Sequence, residues 1–228
     1  MTQDKHLLRR NTNKKIYEIE KKAIETIIGS LKSNYLDIGS FDGVSGSLTY
    51  DLALSGWFGI LCEPTPYTFK KLQSNYQNIK CDLRRVAIVP DWHEDGKADM
   101  FDYVDLQNSI GSGCSSLDIS TAYKSGIEFC ENKQHTELYS TTVMTVKISK
   151  LLKKINHNLD FVKIDAEGYS INIMRSWPFI ERRPNLFVVE WDDNEDQESI
   201  TYFMKNNGYT FKPRALVDRG NLFFVKDL

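Results

Sequence analysis

The chain has 228 residues, 41% of them hydrophobic and 12% aromatic, and a formal net charge of −2. This size suits one core and predicts a single domain over 1–228, while the slightly negative charge disfavours a dedicated nucleic-acid binder. No apolar run is long enough to cross a bilayer, and the charged N-terminal stretch lacks the apolar segment of a secretory signal. We therefore expect a cytoplasmic protein with no membrane partner.

The first ninety residues alternate between helix and strand patterns. Apolar residues at three- and four-residue intervals predict an N-terminal helix over 13–32. The elements predicted after it are, in order, a strand over 35–38, a helix ending near Gly56, a strand over 58–62, a helix over 65–76 and a strand over 86–89. Repeated β-α-β alternation predicts a parallel sheet that is covered by helices on both faces.

The alternation is lost between Pro90 and Thr142. This stretch is polar, contains serine and glycine, and is too long for an ordinary connection in a compact domain. We interpret residues 91–142 as an insertion that could form a lid over a binding site.

Regular patterns return after the insertion. They predict, in order, a strand over 143–146, a helix through Leu151 and Leu152, strands over 161–164 and 186–189, a helix over 200–206, and strands over 209–211 and 222–225. The last two strands are separated by a loop that contains proline and glycine, which predicts a C-terminal antiparallel hairpin.

A glycine-containing segment lies where the first predicted strand gives way to a helix. Its spacing is Gly-x-x-x-Gly-x-x-Gly, whereas a dinucleotide fingerprint has Gly-x-Gly-x-x-Gly, so an NAD-linked enzyme is disfavoured. Gly39 and Gly43 would let the backbone approach a ligand closely. Glu63 ends the second predicted strand, where a carboxylate can accept hydrogen bonds from both ribose hydroxyls. Asp37 and Glu63 together indicate a nucleoside-type cofactor, and the alternative is a glycine-bearing turn in another kind of α/β protein.

Three carboxylates are predicted at the ends of later strands. Asp165 and Glu167 follow the strand over 161–164, and Glu190 follows the strand over 186–189. Ligands of open α/β sheets bind at the carboxyl ends of strands, so these side chains could bind a cofactor amine, deprotonate a substrate hydroxyl or ligate a divalent cation. The sequence does not choose between a base and a metal site. For Asp165 and Glu167, acidic residues that only stabilise a helix N-terminus are the alternative.

Two histidines lie in the insertion. A lid could bring the imidazole of His93 or His135 over a substrate, and a histidine base would suit neutral pH. A solvated loop histidine is the alternative for both. The nearby segment 108–117, rich in serine and glycine, could present amides and hydroxyls to a ligand or form only a turn.

Several separated segments together resemble the FkbM-type methyltransferases. They are residues 36–43, 62–66, 114–117, 162–168, 189–190 and 221–225. The resemblance implies a Rossmann-like α/β methyltransferase fold with a seven-stranded, mostly parallel sheet, helices on both faces and a last strand that inserts antiparallel. It also implies S-adenosyl-L-methionine as the cofactor. The chain departs from the usual pattern before the fourth strand, where residues 146–149 stand in place of a more typical leucine-aspartate pair.

The resemblance assigns expected roles to individual residues. It implies Gly39 and Gly43 beside the methionine portion of the cofactor, Glu63 on the ribose and Ala87 near the adenine. The full predicted cofactor site is Asp37, Gly39, Ser40, Gly43, Glu63, Pro64, Ala87 and Asp165.

The resulting expectation is methyl transfer to a hydroxyl oxygen of a sugar, glycan or secondary metabolite. The predicted catalytic residues are Asp165, Glu167, Glu190 and His135. Two alternatives are a catalytically silent cofactor-binding module and an NAD-linked oxidoreductase. The acceptor, the divalent cation and the oligomeric state are left open by the sequence.

Overall fold

The structure, a computed structural model, describes residues 18–29, 33–105, 110–111, 114–129, 136–191, 196–212 and 220–228. The helices among them are α1 (18–28), α2 (Tyr50–Leu54), α3 (Pro66–Asn75), α4 (Ile119–Phe129), α5 (Ile148–Leu152), α6 (Ser170–Arg175) and α7 (Gln197–Asn206). The strands are β1 (Asn34–Ile38), β2 (Phe58–Cys62), β3 (Cys81–Arg84), β4 (Ala87–Val89), β5 (Gly96–Asp105), β6 (Ile110–Gly111), β7 (Thr136–Lys147), β8 (Phe161–Ile164), β9 (Leu186–Trp191), β10 (Tyr209–Lys212) and β11 (Gly220–Lys226).

Seven strands form the main sheet in the order β10-β11-β9-β8-β1-β2-β3. Strands β3, β2, β1, β8 and β9 pair in parallel, and β11 pairs antiparallel with both β9 and β10. This order confirms the predicted α/β class, with a mostly parallel seven-stranded sheet and a C-terminal antiparallel hairpin. The described part of the predicted N-terminal helix over 13–32 is helical from 18 to 28, and its other residues, turn residue Gly29 aside, lie outside the described ranges.

The main sheet is buried on both faces because consecutive strand residues point to opposite sides. Phe187 and Val189 belong to one core cluster, while Leu186 and Val188 belong to the other. Helices α5, α6 and α7 supply Leu151, Met174 and Met204 to the first cluster. Helices α1, α2 and α3 supply Ile24, Ala53 and Leu72 to the second. The predicted placement of helices on both faces is confirmed.

The third strand of the main sheet is not where the sequence pattern places it. The apolar run 86–89 was predicted as this strand, but the structure puts β3 at Cys81–Arg84 and assigns Ala87–Val89 to a second sheet. Strand β3 is the edge of the main sheet and all its residues are only partly buried. An edge strand tolerates polar side chains such as Asp82 and Arg84, so it lacks the apolar signature of its neighbours.

The second sheet has the order β4-β7-β5-β6 and contains much of the predicted insertion. Strands β5 and β7 form a long antiparallel ribbon, paired from Gly96↔Thr145 to Asp105↔Thr136. The predicted short strand over 143–146 is therefore the end of a strand of 12 residues. Only one side of the ribbon is covered: Val143 and Thr145 are buried, whereas Met144 between them is exposed.

Among the described residues, no helix has both the length and the apolar character needed to cross a membrane.

Candidate active site

A cavity of about 300 Å³ opens at the carboxyl ends of the central strands, between the two sheets. The loops after β1, β2 and β8 contribute Gly39, Glu63 and Asp165 to its wall. The opposite wall includes Met100 of β5 and Leu117, which precedes α4. The volume lies at the lower end of the roughly 300–1,000 Å³ that is usual for small-molecule sites.

The glycine segment brings two loops into backbone contact. A Cβ atom on Gly39 would lie 1.6 Å from the carbonyl oxygen of Asp165, and Gly39 has a φ of +77°. The amides of Gly39 and Ser40 both donate to the carbonyl oxygen of Cys62, at 3.0 and 3.1 Å. Any side chain at position 39 would therefore push the β1 and β8 loops apart.

Two predicted cofactor residues in this segment lie behind the cavity wall. The hydroxyl of Ser40 donates to the carbonyl oxygen of Asp37 at 2.9 Å, so Ser40 stabilises the turn. A Cβ atom on Gly43 would lie 2.5 Å from Leu72 Cδ1 and 2.4 Å from a ring carbon of Tyr76. The close approach at Gly43 is to α3 and the turn that ends it, not to the cavity.

Two non-glycine residues on the cavity wall have left-handed backbone conformations. Phe41 has a φ of 51° and Glu167 a φ of 38°. Such residues are uncommon and cluster at ligand sites, because the surrounding structure must compensate their backbone strain. Their presence in the β1 and β8 loops indicates that these loops form a ligand-binding site.

Glu63 is buried at the end of β2 and faces the cavity. Its Oε1 accepts hydrogen bonds from the amide of Thr65, at 2.9 Å, and from the Thr65 hydroxyl. Its Oε2 accepts from the amide of Phe41 at 3.1 Å. Burial raises the pKa of Glu63 to about 7, although the bonds from Thr65 and Phe41 act in the opposite direction. Pro64 and Ala87 also line the cavity.

Lys163 is a buried cation that the sequence analysis did not single out. Its Nζ lies 3.1 Å from Asp165 Oδ2 and 3.4 Å from Asp37 Oδ1, and it donates to the carbonyl oxygen of Gly39 at 3.3 Å. Burial alone would lower the pKa of Lys163, but the carboxylates of Asp165 and Asp37 raise it above its usual range. A lysine inside the short apolar strand β8 was the available signal, because a buried charge requires a partner.

Asp37 is part of this buried ion-pair group and does not line the cavity. The hydroxyl of Thr49 donates to Asp37 Oδ2 at 2.6 Å, and Lys163 lies beside the other oxygen. The carboxylate of Asp37 therefore reaches the predicted ligand only through Lys163 and Asp165.

The three predicted catalytic carboxylates come together beside the cavity. Oxygen atoms of Asp165, Glu167 and Glu190 lie within 4.8 Å of one another, close enough to ligate one cation. Asp165 and Glu167 line the cavity, whereas Glu190 lies behind them. Glu190 Oε2 accepts from the amide of Glu167 at 3.2 Å and from the Ser170 hydroxyl at 3.0 Å. Burial, followed by the charges of Asp165 and Glu167, raises the pKa of Glu190 well above its usual range.

The described part of the insertion is attached to these loops by side-chain hydrogen bonds. The hydroxyl of Ser116 donates to the carbonyl oxygen of Glu167 at 2.7 Å. The hydroxyl of Tyr67 on α3 donates to the carboxylate of Asp102 on β5. His135, a predicted catalytic residue, lies outside the described residues. His93 lies beside Tyr169, which lines the cavity.

Comparison with known proteins gives one family and several distant structural neighbours. The sequence matches the methyltransferase FkbM domain over residues 37–211. No curated protein matches it. A SAM-dependent methyltransferase from Agrobacterium tumefaciens has a TM-score of 0.45 and 10% identity, over 92% of this chain and 60% of that chain. The delta-N METTL16 methyltransferase domain has a TM-score of 0.43 and 11% identity, over 92% and 82%.

A third solved structure is an O-methyltransferase family protein from Burkholderia thailandensis. It has a TM-score of 0.40 and 8% identity, over 96% of this chain and 59% of that chain. The chain thus spans about three-fifths of the length of two of these neighbours. The domain match covers most of the chain and confirms the resemblance seen in the sequence: the protein belongs to the FkbM methyltransferase family.

Proposed function

We propose that the protein is an S-adenosylmethionine-dependent O-methyltransferase that acts on a hydroxyl of a sugar, glycan or secondary metabolite. Membership of the FkbM methyltransferase family supports methyl transfer. The observation that carries the proposal is that Glu63, Asp165 and Glu167 line one cavity at the carboxyl ends of the strands.

The cavity fits the chemistry of this cofactor. Glu63 presents a buried carboxylate at the end of β2, where Oε2, which among the described residues accepts only from the Phe41 amide, can also accept a hydrogen bond from a ribose hydroxyl. The small side chain of Ala87 on the opposite wall leaves space for a flat base. Glu63, Asp165 and Glu167 line the cavity and outnumber Lys163, the cation beside Asp165, so this excess of carboxylates favours a positively charged ligand.

When bound, S-adenosylmethionine supplies an electrophilic methyl group on a positively charged sulfur. The residues of the chain then have two tasks: to align the acceptor oxygen with the methyl group and to accept the hydroxyl proton as the O–CH3 bond forms. Asp165 and Glu167 are the proposed bases because both reach the cavity. Glu190 is proposed to act through them, since it lies behind the wall and its raised pKa favours the protonated form.

The insertion is proposed to cover the acceptor. Met100, Ser115 and Leu117 already form part of the cavity wall, and Ser116 is bonded to the β8 loop. Excluding water there would strengthen the interaction between the bases and the acceptor hydroxyl. His135 remains a predicted alternative base in this segment.

Calorimetric titration with S-adenosylmethionine, S-adenosylhomocysteine and NAD tests the cofactor. We expect both adenosyl compounds to bind with micromolar affinity and NAD to give no heat. Binding of NAD alone would contradict the proposal and favour an oxidoreductase. Binding of the adenosyl compounds without turnover of any acceptor would favour a silent module.

Methyl transfer by Asp165→Asn and Glu167→Gln variants tests the base. At least one of them should lose most of its turnover and still bind S-adenosylhomocysteine. Repeating the wild-type assay with EDTA and with magnesium shows whether the carboxylates of Asp165, Glu167 and Glu190 act as a base or as cation ligands. Unchanged turnover in EDTA supports a base, whereas loss that magnesium restores would assign the group to a cation.

A further inference from the structure

Three aromatic rings meet at the edge of the cavity. The ring centroids of Trp92 and Tyr169 are 6.2 Å apart with an interplanar angle of 28°, which is a stacked arrangement. The ring of His93 lies 6.0 Å from each of them. Tyr169 lines the cavity, whereas Trp92 is 66% exposed. The aromatic surface therefore continues from the cavity wall out to solvent.

The turn that carries Trp92 is held in place on two sides. The amide of Asp91 donates to the Ser176 hydroxyl at 3.1 Å, and Asp91 Oδ1 accepts from the amide of Ser149, also at 3.1 Å. Within the turn, the amide of His93 donates to the carbonyl oxygen of Pro90 at 3.0 Å. The rings are thus presented by a fixed backbone, which reduces the entropy lost when a ligand binds to them.

The charges beside this surface restrict what can bind there. Glu63, Asp165 and Glu167 line the cavity. The basic side chains beside them are His93, at the edge of the cavity, and the buried Lys163, which is already paired with Asp165. Carboxylates are therefore in excess. A phosphorylated or carboxylated acceptor would be repelled by this field. An uncharged hydroxyl compound would instead donate hydrogen bonds to the carboxylates.

The aromatic faces restrict the shape of the ligand. An aromatic ring carries negative charge density on its face, so it attracts the polarised C–H groups of a saturated ring or the edge of another aromatic ring. A ring fits the exposed face of Trp92 better than an open chain does, because an open chain must lose more torsional freedom to lie flat.

We infer that Trp92, His93 and Tyr169 form the acceptor-binding surface of this site, and that it selects an uncharged alcohol built on a ring. This inference rests on the proposed methyl transfer, because it assigns the ligand to the acceptor. The ring lies against the exposed Trp92 at the mouth of the cavity, and its hydroxyl is directed past Tyr169 into the cavity that Asp165 and Glu167 line. None of the three aromatic residues is needed for the role of Glu63 in holding the cofactor.

Saturation-transfer NMR on the full chain tests the surface with three probes. Methyl β-D-glucopyranoside offers a saturated ring, catechol an aromatic ring and sorbitol an open chain of hydroxylated carbons. We expect transfer to the ring protons of at least one cyclic probe, roughly fivefold above that to sorbitol, or about 1 kcal/mol, which is the scale of an aromatic contact. The cyclic probe that receives the signal identifies the kind of ring.

Substitutions at Trp92 test whether the saturation-transfer signal comes from the proposed acceptor-binding surface. Trp92→Ala should lower transfer to the cyclic probe by about fivefold and Trp92→Phe should retain most of it, because phenylalanine keeps an aromatic face. The matched control is Tyr202→Ala, since Tyr202 is equally exposed but lies on α7, which packs on β10 at the far edge of the sheet. Equal transfer to all probes, no transfer, or a signal unaffected by Trp92→Ala would overturn the inference.

Every titration is run with and without S-adenosylhomocysteine, whose own binding is measured by calorimetry. If the cofactor does not bind but the cyclic probe gives a signal that depends on Trp92, the proposed methyl transfer is contradicted and the ring-binding surface is still supported. If the cofactor binds but no cyclic probe gives a signal, only the proposed acceptor-binding surface is contradicted.

Discussion

The two walls of the cavity are stabilised in different ways. On the side of the main sheet, Lys163 is buried between Asp37 and Asp165, and Gly39 touches the backbone of the β8 loop. On the side of the second sheet, the β5–β7 ribbon exposes large side chains such as Tyr139. It packs on a small apolar cluster of Ala87, Met100 and Val143 and makes a few polar contacts to the rest of the molecule. The first wall is rigid and costly to alter, whereas the second can change with little loss of stability. Cofactor binding should therefore be sensitive to the first wall and acceptor binding to the second.

The largest expected effect comes from removing the buried cation of the first wall. Lys163→Met should lower the free energy of unfolding by about 3 kcal/mol, because the buried Asp37 and the partly exposed Asp165 both lose their counter-charge. Urea unfolding followed by circular dichroism measures it. The control is Lys150→Met, which breaks the ion pair with Asp95 on a side chain that is 54% exposed. That exposed pair should contribute less than about 1 kcal/mol. Equal losses in both variants would show that burial does not distinguish the pairs.

A smaller effect is expected where the first wall meets the cofactor. Glu63→Ala should weaken S-adenosylhomocysteine binding by about 1–3 kcal/mol, the scale of a lost hydrogen bond to a charged group. Calorimetry gives the affinity, and a urea unfolding curve of the same variant confirms that it is folded. Ser45→Ala is a suitable control, because Ser45 also lines the cavity but its hydroxyl donates to Asp42. Unchanged affinity in Glu63→Ala would reject the ribose role.

The raised pKa of Glu63 should make the binding of S-adenosylhomocysteine depend on pH. Burial raises the pKa of Glu63 to about 7, so the group is mostly neutral below that pH and ionised above it. Only the ionised form accepts hydrogen bonds with both oxygens, so affinity for S-adenosylhomocysteine should rise with pH and level off above about 8. Between pH 6 and pH 8 the gain should be about tenfold, or about 1.4 kcal/mol. A profile that stays the same in Glu63→Gln would assign the dependence to another group.

The smallest expected effect is on the second wall. Ser116→Ala removes the donor to the Glu167 carbonyl and should cost about 1 kcal/mol of global stability. Its local effect should be larger: the amides of Phe101 and Ser116, which bond to each other's carbonyl oxygens, should exchange with deuterium faster. Met144→Ser on the exposed side of the ribbon should change stability by less than about 0.5 kcal/mol. If these amides exchange at the same rate in both variants, the Ser116 hydrogen bond does not hold the second wall against the β8 loop.

The first wall was also the more predictable from sequence. Strands β1, β2, β8 and β9 are buried along most of their length and mostly apolar, which is the signature of parallel strands between helices; Asp37 and Lys163 are the buried charges within them. The rule that ligands bind at the carboxyl ends of such strands then selected Glu63, Asp165 and Glu167 correctly as residues beside one cavity.

What the sequence did not predict depends on contacts between distant residues. The β5–β7 ribbon pairs residues about forty positions apart, and its exposed residues mix polar side chains such as Asp99 with apolar ones such as Met144, so no regular alternation marks it. Whether Ser40 and Gly43 face the cavity or the core depends on small differences in turn geometry that spacing does not contain. Trp92 was missed because its partner Tyr169 follows a different strand.

The position of β11 has a consequence for how the chain is made. It lies between β9 and β10 in the sheet although it follows both in sequence, with Leu222 paired to Val189 and Phe224 paired to Phe211. During synthesis, β9 and β10 therefore leave the ribosome with no strand to join them. Until β11 follows, the apolar strand β9 has an open edge that could pair with another chain. Folding of this sheet should be completed by its last strand, and aggregation in the cell should be most acute for chains interrupted just before residue 220.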